Sequence, residues 1–305
     1  MDDGVASVPA SPFARLRARD LFGLTIALMG ALMLAMLSIS SIAGISPDER
    51  LIGLALAPAL GFPALFLGRR AGLVWTRLFG AAPTRSELLL VLVVVPVALL
   101  TMADAYLVYV PLSYLAPRFV ERQLLNQSFY DVTTVWQWVA LMLMGVGLAP
   151  ALEEILFRGV LMQRWSYRWG TSTGVIASSA LFGVLHGEWI GHFFFGVAMS
   201  ALYLRTRKLW VPMAAHALNN FVFIAPSLYG VLRHHPPATE TLAEFRAEFW
   251  TGVPMLAAAA VAYLVYRRVL WKGTGLRELL RGASPYDASG ARDGFSPVRL
   301  MFDDR

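Results

Sequence analysis

The sequence contains no cysteine and little charge. The absence of cysteine excludes disulfide bridges, thiolate catalysis and zinc sites with cysteine ligands. Only 15% of the 305 residues are charged, whereas 57% are hydrophobic and the mean hydropathy is +0.57. Average soluble domains are about a quarter charged. The composition therefore indicates a membrane protein rather than one or two soluble domains.

The apolar residues occur in long runs. A helix needs about 20 mostly apolar residues to cross the hydrocarbon layer of a bilayer. Eight runs, some of them short or interrupted by proline and glycine, cover residues 21–45, 51–67, 88–115, 135–148, 172–185, 190–204, 209–225 and 253–269. The sequence thus predicts an all-α fold, a polytopic bundle of about eight transmembrane helices. The first run is too long for a secretory signal and is interpreted as an uncleaved helix.

Basic residues collect on alternate connections between these runs. Sixteen lie on one predicted side of the membrane and five on the other. The sixteen are Arg15, Arg17, Arg19, Arg69, Arg70, Arg77, Arg85, Arg164, Arg168, Arg205, Arg207, Lys208, Arg267, Arg268, Lys272 and Arg277, and the five are Arg50, Arg118, Arg122, Arg233 and Arg246. Because basic connections stay in the cytoplasm, we expect both termini to be cytoplasmic. The net charge of +6 is explained by this topology, so no nucleic-acid partner is expected.

One membrane domain with a short head and tail accounts for the chain. Residues 1–20 are predicted to form a cytoplasmic N-terminal segment and residues 21–271 the transmembrane domain. Residues 272–305 are rich in Gly, Arg, Ser and Asp and predict a flexible cytoplasmic tail. The expected location is the cytoplasmic (inner) membrane of a bacterium. The roles of Asp104 and of the outer loop 233–250 do not follow from the sequence.

Ionisable side chains stand inside three of the predicted membrane helices. Such groups are costly in hydrocarbon and mark functional sites by default. The clusters run from Glu153 to Arg158, from Phe182 to His186 and from His216 to Asn220. Counted at about 1.5 Å per residue from the nearest basic connection, they fall near the middle of a layer about 30 Å thick. The matched depth favours one shared site over polar contacts that only hold helices together.

The spacing within the clusters predicts which side chains meet. Glu154 and Arg158 are four residues apart, so they share a helix face and can form an ion pair. Glu153 is turned by about 100° and can face a cavity. Pro150 predicts a kink in the fourth helix, or the start of its second half.

These segments resemble the CAAX-protease and bacteriocin-processing (CPBP) family, which includes the type II CAAX prenyl endopeptidases. The family pattern is EExxxR, FxxxH and HxxxN. Here it reads Glu153-Glu154-x-x-x-Arg158, Phe182-x-x-x-His186 and His216-x-x-x-Asn220. Each motif alone is weak, but the three in this order are specific, and the resemblance covers residues 135–225. It implies an intramembrane endopeptidase that hydrolyses a peptide bond of a membrane-associated peptide or protein.

The resemblance also implies individual roles. Glu153 and His186 would activate water, whereas His216 and Asn220 would polarise the scissile carbonyl and stabilise the oxyanion. Glu154, Arg158 and Phe182 would support this set. Such roles suit the side chains, since a carboxylate or imidazole can act as a general base and an amide can donate to an oxyanion.

Several alternatives stay open at this point. No cofactor is favoured, although Glu153, His186 and His216 could together hold zinc; the HExxH signature is absent. The intramembrane charges could instead line a transport pathway. A non-catalytic membrane scaffold or immunity protein could also keep the same fold. The expected partners are a membrane-associated peptide or protein substrate and the lipid bilayer. The identity of the substrate and the oligomeric state do not follow from the sequence.

Overall fold

The helices build a single bundle. A computed structural model describes residues 11–43, 49–125, 132–186, 188–233, 241–273, 275–281 and 286. Within these residues the regular structure is helical and no strand occurs. The bundle consists of α1 (Ala18–Ala43), α2 (Glu49–Ala71), α3 (Arg85–Leu115), α4 (Val135–Trp169), α5 (Thr171–Val184), α6 (Trp189–Thr206), α7 (Trp210–Ile224) and α8 (Phe249–Val269).

The predicted fold class, a helical membrane bundle, is confirmed. Helices α1, α3, α4 and α8 are long and apolar enough to cross a membrane, and α5 is a shorter apolar helix. Many large apolar side chains remain exposed on the outside of the bundle, such as Ile26, Leu115 and Val261. Exposed apolar surface of this extent suits lipid rather than water.

Helix α4 is longer than its apolar run predicts. The run ends at residue 148, whereas the helix continues to Trp169. Pro150 does not start a new helix, because a π-helical turn at Leu143–Leu148 precedes it within the continuous helix. A π turn accommodates the hydrogen bond that proline cannot donate. A second π turn covers Ile155–Leu161. Glu153 and Glu154 therefore lie in the middle of a long helix rather than in a first turn.

The connections gather at two opposite ends of the bundle. At one end, which we call the basic end, Lys208 forms an ion pair with Glu87 at 2.7 Å. The Leu209 amide donates to the Leu78 carbonyl there at 3.1 Å, and the Arg205 guanidinium lies 4.8 Å from the centre of the Trp271 ring. The connections α4–α5, α6–α7 and the chain after α8 all meet at this end.

At the opposite end, which we call the cap end, residues 117–125 and 242–249 form a layer that we call the cap layer. The Arg246 guanidinium donates to the Ser113 hydroxyl at 2.8 Å. The Phe245 ring packs 5.9 Å from Tyr106 of α3. Part of the outer loop 233–250, residues 234–240, lies outside the described residues. The cap layer closes the end of the bundle at which α5 stops and α6 begins.

Part of the C-terminal segment packs against the basic end. Leu276–Arg281 is helical. The buried Tyr286 ring lies 5.2 Å from the Phe13 ring, and the Tyr286 amide donates to Gln163 at 3.3 Å. Most of the predicted flexible tail, like residues 1–10 of the predicted N-terminal segment, lies outside the described residues.

Small residues let the central helices approach closely. A Cβ atom added to Gly174 of α5 would lie 2.6 Å from the Ser166 amide nitrogen of α4. A Cβ atom on Gly196 of α6 would lie 2.9 Å from the Cα of Ser179 of α5. Small residues at helix contacts allow this backbone proximity in membrane bundles. Helices α4, α5 and α6 thus form a tight core.

We expect Gly174→Ala to destabilise the protein, because the new methyl group would push against the α4 backbone. Overpacking of this kind typically costs about 1–3 kcal/mol. The control is Gly147→Ala in α4, where a Cβ atom would meet nothing within 4 Å. Thermal unfolding in detergent should show a lower midpoint for Gly174→Ala only. Equal midpoints for the two variants would contradict the close packing of α4 and α5.

Candidate active site

A buried ion pair lies at the centre of the site. Arg158 Nη1 donates to Glu154 Oε1 at 2.9 Å, and the two side chains are 1% and 0% exposed. Arg158 Nη2 donates to the Gly196 carbonyl of α6 at 3.0 Å. The guanidinium also lies 4.9 Å from the ring centre of Phe182 in α5. One arginine side chain therefore connects α4 with α5 and α6.

Glu154 extends this network to α7. Its Oε1 also lies 2.9 Å from Nδ1 of His216. Because this oxygen belongs to a carboxylate already paired with Arg158, Nδ1 is the nitrogen that donates to it. Only Nε2 of His216 is then left for other partners, and it lies 3.9 Å from Glu153 Oε2. That distance is too long for a direct hydrogen bond but short enough for one group to bridge both atoms.

His186 lies in the connection between α5 and α6, two residues after α5 ends at Val184. Its Nδ1 is 2.7 Å from the Phe182 carbonyl, so Nδ1 donates and Nε2 can accept. The imidazole stacks on the Phe182 ring at 4.3 Å and on the His192 ring at 4.5 Å. Phe182 is fully buried and its ring also meets the edge of His216 at 5.9 Å. Phe182 thus contacts both motif histidines.

Asn220 binds back to α4. Its Nδ2 donates to the Gly145 carbonyl at 2.7 Å. Gly145 lies in the π turn Leu143–Leu148, where the wider turn changes the pairing of the backbone carbonyls. An amide group carries two hydrogens, so the second hydrogen of Asn220 can still serve a ligand.

A cavity of about 440 Å³ adjoins these residues. His186 and Asn220 contribute to its lining, together with apolar side chains of α3, α7 and the cap layer. Glu153 and His216 are not part of this lining within the described chain, but Phe195 lines the cavity and its ring lies 4.8 Å from His216. The structure therefore arranges the predicted residues in two adjoining groups. One contains Glu153, Glu154, Arg158 and His216, the other His186 and Asn220, and the rings of Phe182 and Phe195 lie between them.

Two polar side chains of α3 hold the start of α6. Asp104 Oδ2 accepts from the Gly191 amide at 3.0 Å, and the Tyr109 hydroxyl accepts from the Trp189 amide at 2.6 Å. The first amides of a helix lack partners within the helix, so these side chains act as caps supplied by a neighbouring helix. They place His192, whose contact with His186 sequence reasoning did not predict. The signal in the sequence for this contact was Asp104, an ionisable residue that lies alone within the apolar run 88–115.

Glu188 adds a titratable group to the cavity. It lies in the connection between α5 and α6, outside both helices, and lines the cavity. Burial raises the pKa of Glu188 to about 7, and the negative charge of Asp104 contributes to the same effect. The cavity lining therefore gains a negative charge as the pH rises through neutrality.

A metal site is not assembled among the described residues, where no three His, Asp or Glu side chains form a group that could hold an ion. The alternative zinc set of Glu153, His186 and His216 is divided between the two groups of the site. His186 also uses Nδ1 for the Phe182 carbonyl, which leaves Nε2 as its single possible ligand atom.

Comparisons with known proteins agree with the motifs. Residues 135–222 match the family described as Type II CAAX prenyl endopeptidase Rce1-like. The protein named "Putative membrane peptidase YdiL" from Bacillus subtilis (strain 168) is 33% identical over 105 residues, which are 32% of this chain and 43% of that protein. The chain thus matches less than half of the length of this curated relative. No solved structure gives a significant match. The family predicted from the three motifs is confirmed for this segment.

We expect Arg158→Ala to lower yield and thermal stability, because it leaves the buried Glu154 carboxylate without its ionic partner. Breaking a buried pair on one side typically costs about 3–5 kcal/mol. The control is Arg168→Ala at the exposed end of the same helix. Replacing both partners, as Glu154→Gln with Arg158→Met, should recover part of the loss. A double variant as unstable as Arg158→Ala would show that lost volume, rather than the unpaired charge, causes the effect.

We expect Glu188→Gln to stabilise the protein more at pH 8.5 than at pH 5.5. The carboxyl has an ordinary pKa of 4.5 when unfolded and a raised pKa of about 7 when folded. Folding therefore opposes ionisation of this carboxyl. The free energy of unfolding falls as the pH rises from 4.5 to about 7. The measurement is the unfolding midpoint of variant and parent at both pH values. A constant difference between them would argue against the raised pKa.

Proposed function

We propose that this integral membrane protein is an intramembrane endopeptidase, because residues 135–222 match the family described as Type II CAAX prenyl endopeptidase Rce1-like. It hydrolyses a peptide bond of a membrane-associated peptide or protein. The observation that carries the proposal is the contact between Glu154 and His216. This contact fixes the ring so that its Nε2 lies 3.9 Å from Glu153.

Water activation is the first step that these residues can perform. Glu153 and His186 each offer an acceptor, the carboxylate oxygen and the imidazole Nε2. A base within hydrogen-bond reach takes a proton from water as the water oxygen attacks the scissile carbonyl carbon. The same base then returns the proton to the leaving amine. The Glu153 side chain is only 15% exposed, so such proton transfers compete little with bulk water.

Stabilisation of the oxyanion is the second step. As the carbonyl carbon becomes tetrahedral, its oxygen gains negative charge, which fixed donors can stabilise. Asn220 has one amide hydrogen left after its bond to Gly145, and its position is held by that bond. His216 can donate from Nε2 when this nitrogen carries a proton, since Nδ1 is occupied by Glu154. Glu154, itself paired with Arg158, keeps His216 in place without contacting the substrate.

The supporting residues favour catalysis over a structural role of the same fold. All motif positions are present, and the bond from Glu154 to His216 orients a nitrogen that packing alone does not require. A scaffold would need the ion pair but not an imidazole nitrogen directed at a second carboxylate. We therefore favour catalysis, and we favour a glutamate-type mechanism because Glu153, His186 and His216 do not form one ligand group among the described residues.

We expect Glu153→Gln, His186→Ala and Asn220→Ala each to reduce cleavage by at least about a hundredfold, the usual effect of losing a general base or an oxyanion donor. Substrates are first identified by comparing protein termini in membranes of cells that express the parent or Glu153→Gln. A peptide spanning an identified site then serves for rates. Ser172→Ala is the control, because its hydroxyl binds the Leu280 carbonyl at the basic end.

Two results would change the mechanism. Undiminished cleavage by Glu153→Gln would refute the assignment of the base. Loss of cleavage with a strong chelator, restored by zinc, would replace it with metal-dependent hydrolysis.

A further inference from the structure

The cavity beside His186 and Asn220 lies at the cap end of the bundle, whereas the basic connections lie at the opposite end. We propose that this cavity receives its substrate from the non-cytoplasmic side of the membrane. The substrate would be an apolar segment of a membrane-anchored peptide or protein that lies outside the cytoplasm. The nature of the substrate rests on the proposed function, whereas the side of access does not.

The lining residues place the cavity far from the basic end. Helix α3 begins at Arg85 at the basic end, and its first lining residue, Thr101, lies roughly 24 Å further along the helix axis. On α7, Asn219 lies roughly 16 Å beyond Lys208. His186 follows the cap end of α5, and His192 lies in the first turn of α6.

The cap layer completes the cavity. Leu124, Leu125 and Phe245 of this layer are part of the lining. The cap layer is anchored by Arg246, one of only five basic residues counted on this side of the membrane. Since sixteen basic residues mark the other side, the rule that basic connections remain in the cytoplasm places the cap layer outside. The cavity then faces the same compartment.

The lining also indicates the chemistry of the substrate. Most of the side chains around His186 and Asn220 are apolar, and the lining residues Met102 and Phe223 are 38% and 43% exposed. A segment that lies in or on the bilayer can therefore reach the cavity past these two residues. About 440 Å³ is within the usual size of ligand sites, roughly 300–1,000 Å³. An extended apolar peptide segment of a few residues suits this volume and lining better than a soluble, charged peptide.

Single cysteines can test the side of access, because the chain contains none. Met102→Cys and Asn219→Cys report on the cavity, Glu244→Cys on the surface of the cap layer, and Thr76→Cys on the basic end. Intact cells are treated with a charged, membrane-impermeant methanethiosulfonate, and unreacted thiols are then counted by a gel shift after lysis. Two cavity variants are used so that a folding defect in one does not remove the test.

We expect Glu244→Cys and at least one cavity variant to react in intact cells, and Thr76→Cys to react only after the membrane is permeabilised. Reaction of Thr76→Cys in intact cells, with Glu244→Cys protected, would overturn the proposal because the topology would be inverted. Failure of both cavity variants to react from outside would overturn it as well, even with Glu244→Cys labelled.

The same variants separate this proposal from the proposed function. Labelling does not need proteolysis, so a Glu153→Gln background should give the same pattern. Labelling from outside without any detectable cleavage by the parent would reject the protease but keep the side of access. Cleavage by the parent with labelling only from the cytoplasm would keep the protease but reject the proposed side of access.

Discussion

The ion pair between Glu154 and Arg158 is the interaction on which the arrangement of the central helices depends. Two charges removed from solvent are tolerated only when their hydrogen-bonding capacity is well used. Arg158 Nε and Glu154 Oε2 make no hydrogen bond within the described residues. Arg158 donates to the Gly196 carbonyl and lies over the Phe182 ring, and Glu154 Oε1 also accepts from His216. Helices α4, α5, α6 and α7 are therefore held in one mutual orientation, which is also the orientation that brings the motif residues together.

Around this pair, backbone groups do much of the positioning. Inside a bilayer each backbone polar group needs a partner within the protein, and irregular helices leave some groups available. The π turn of α4 presents the Gly145 carbonyl to Asn220, and the start of α6 presents two amides to Asp104 and Tyr109. The site is thus built where helices begin or widen, with side chains from other helices as the partners.

The sequence predicts the local part of this arrangement and misses the long-range part. Glu154 and Arg158 are four residues apart in α4, so the helix repeat alone brings them together. The bond from Asp104 to Gly191 joins residues 87 positions apart, and no periodicity connects them. The stacking of His186 on His192 and the division of the site by Phe182 and Phe195 likewise depend on how helices pack. The continuity of α4 past Pro150 depends on π turns, which composition does not reveal.

The shared oxygen of Glu154 also decides which parts of the molecule can move. If α7 shifted away from α4, His216 would lose its bond to the Glu154 carboxylate. Because the same carboxylate holds Arg158, the contacts of Arg158 with α5 and α6 would be disturbed as well. Helices α4 to α7 should therefore behave as one rigid body. The cap layer is attached by contacts nearer the surface, such as Arg246 with Ser113 and Phe245 with Tyr106. The cap layer can therefore shift without disturbing the contacts among α4, α5, α6 and α7 that surround Glu154.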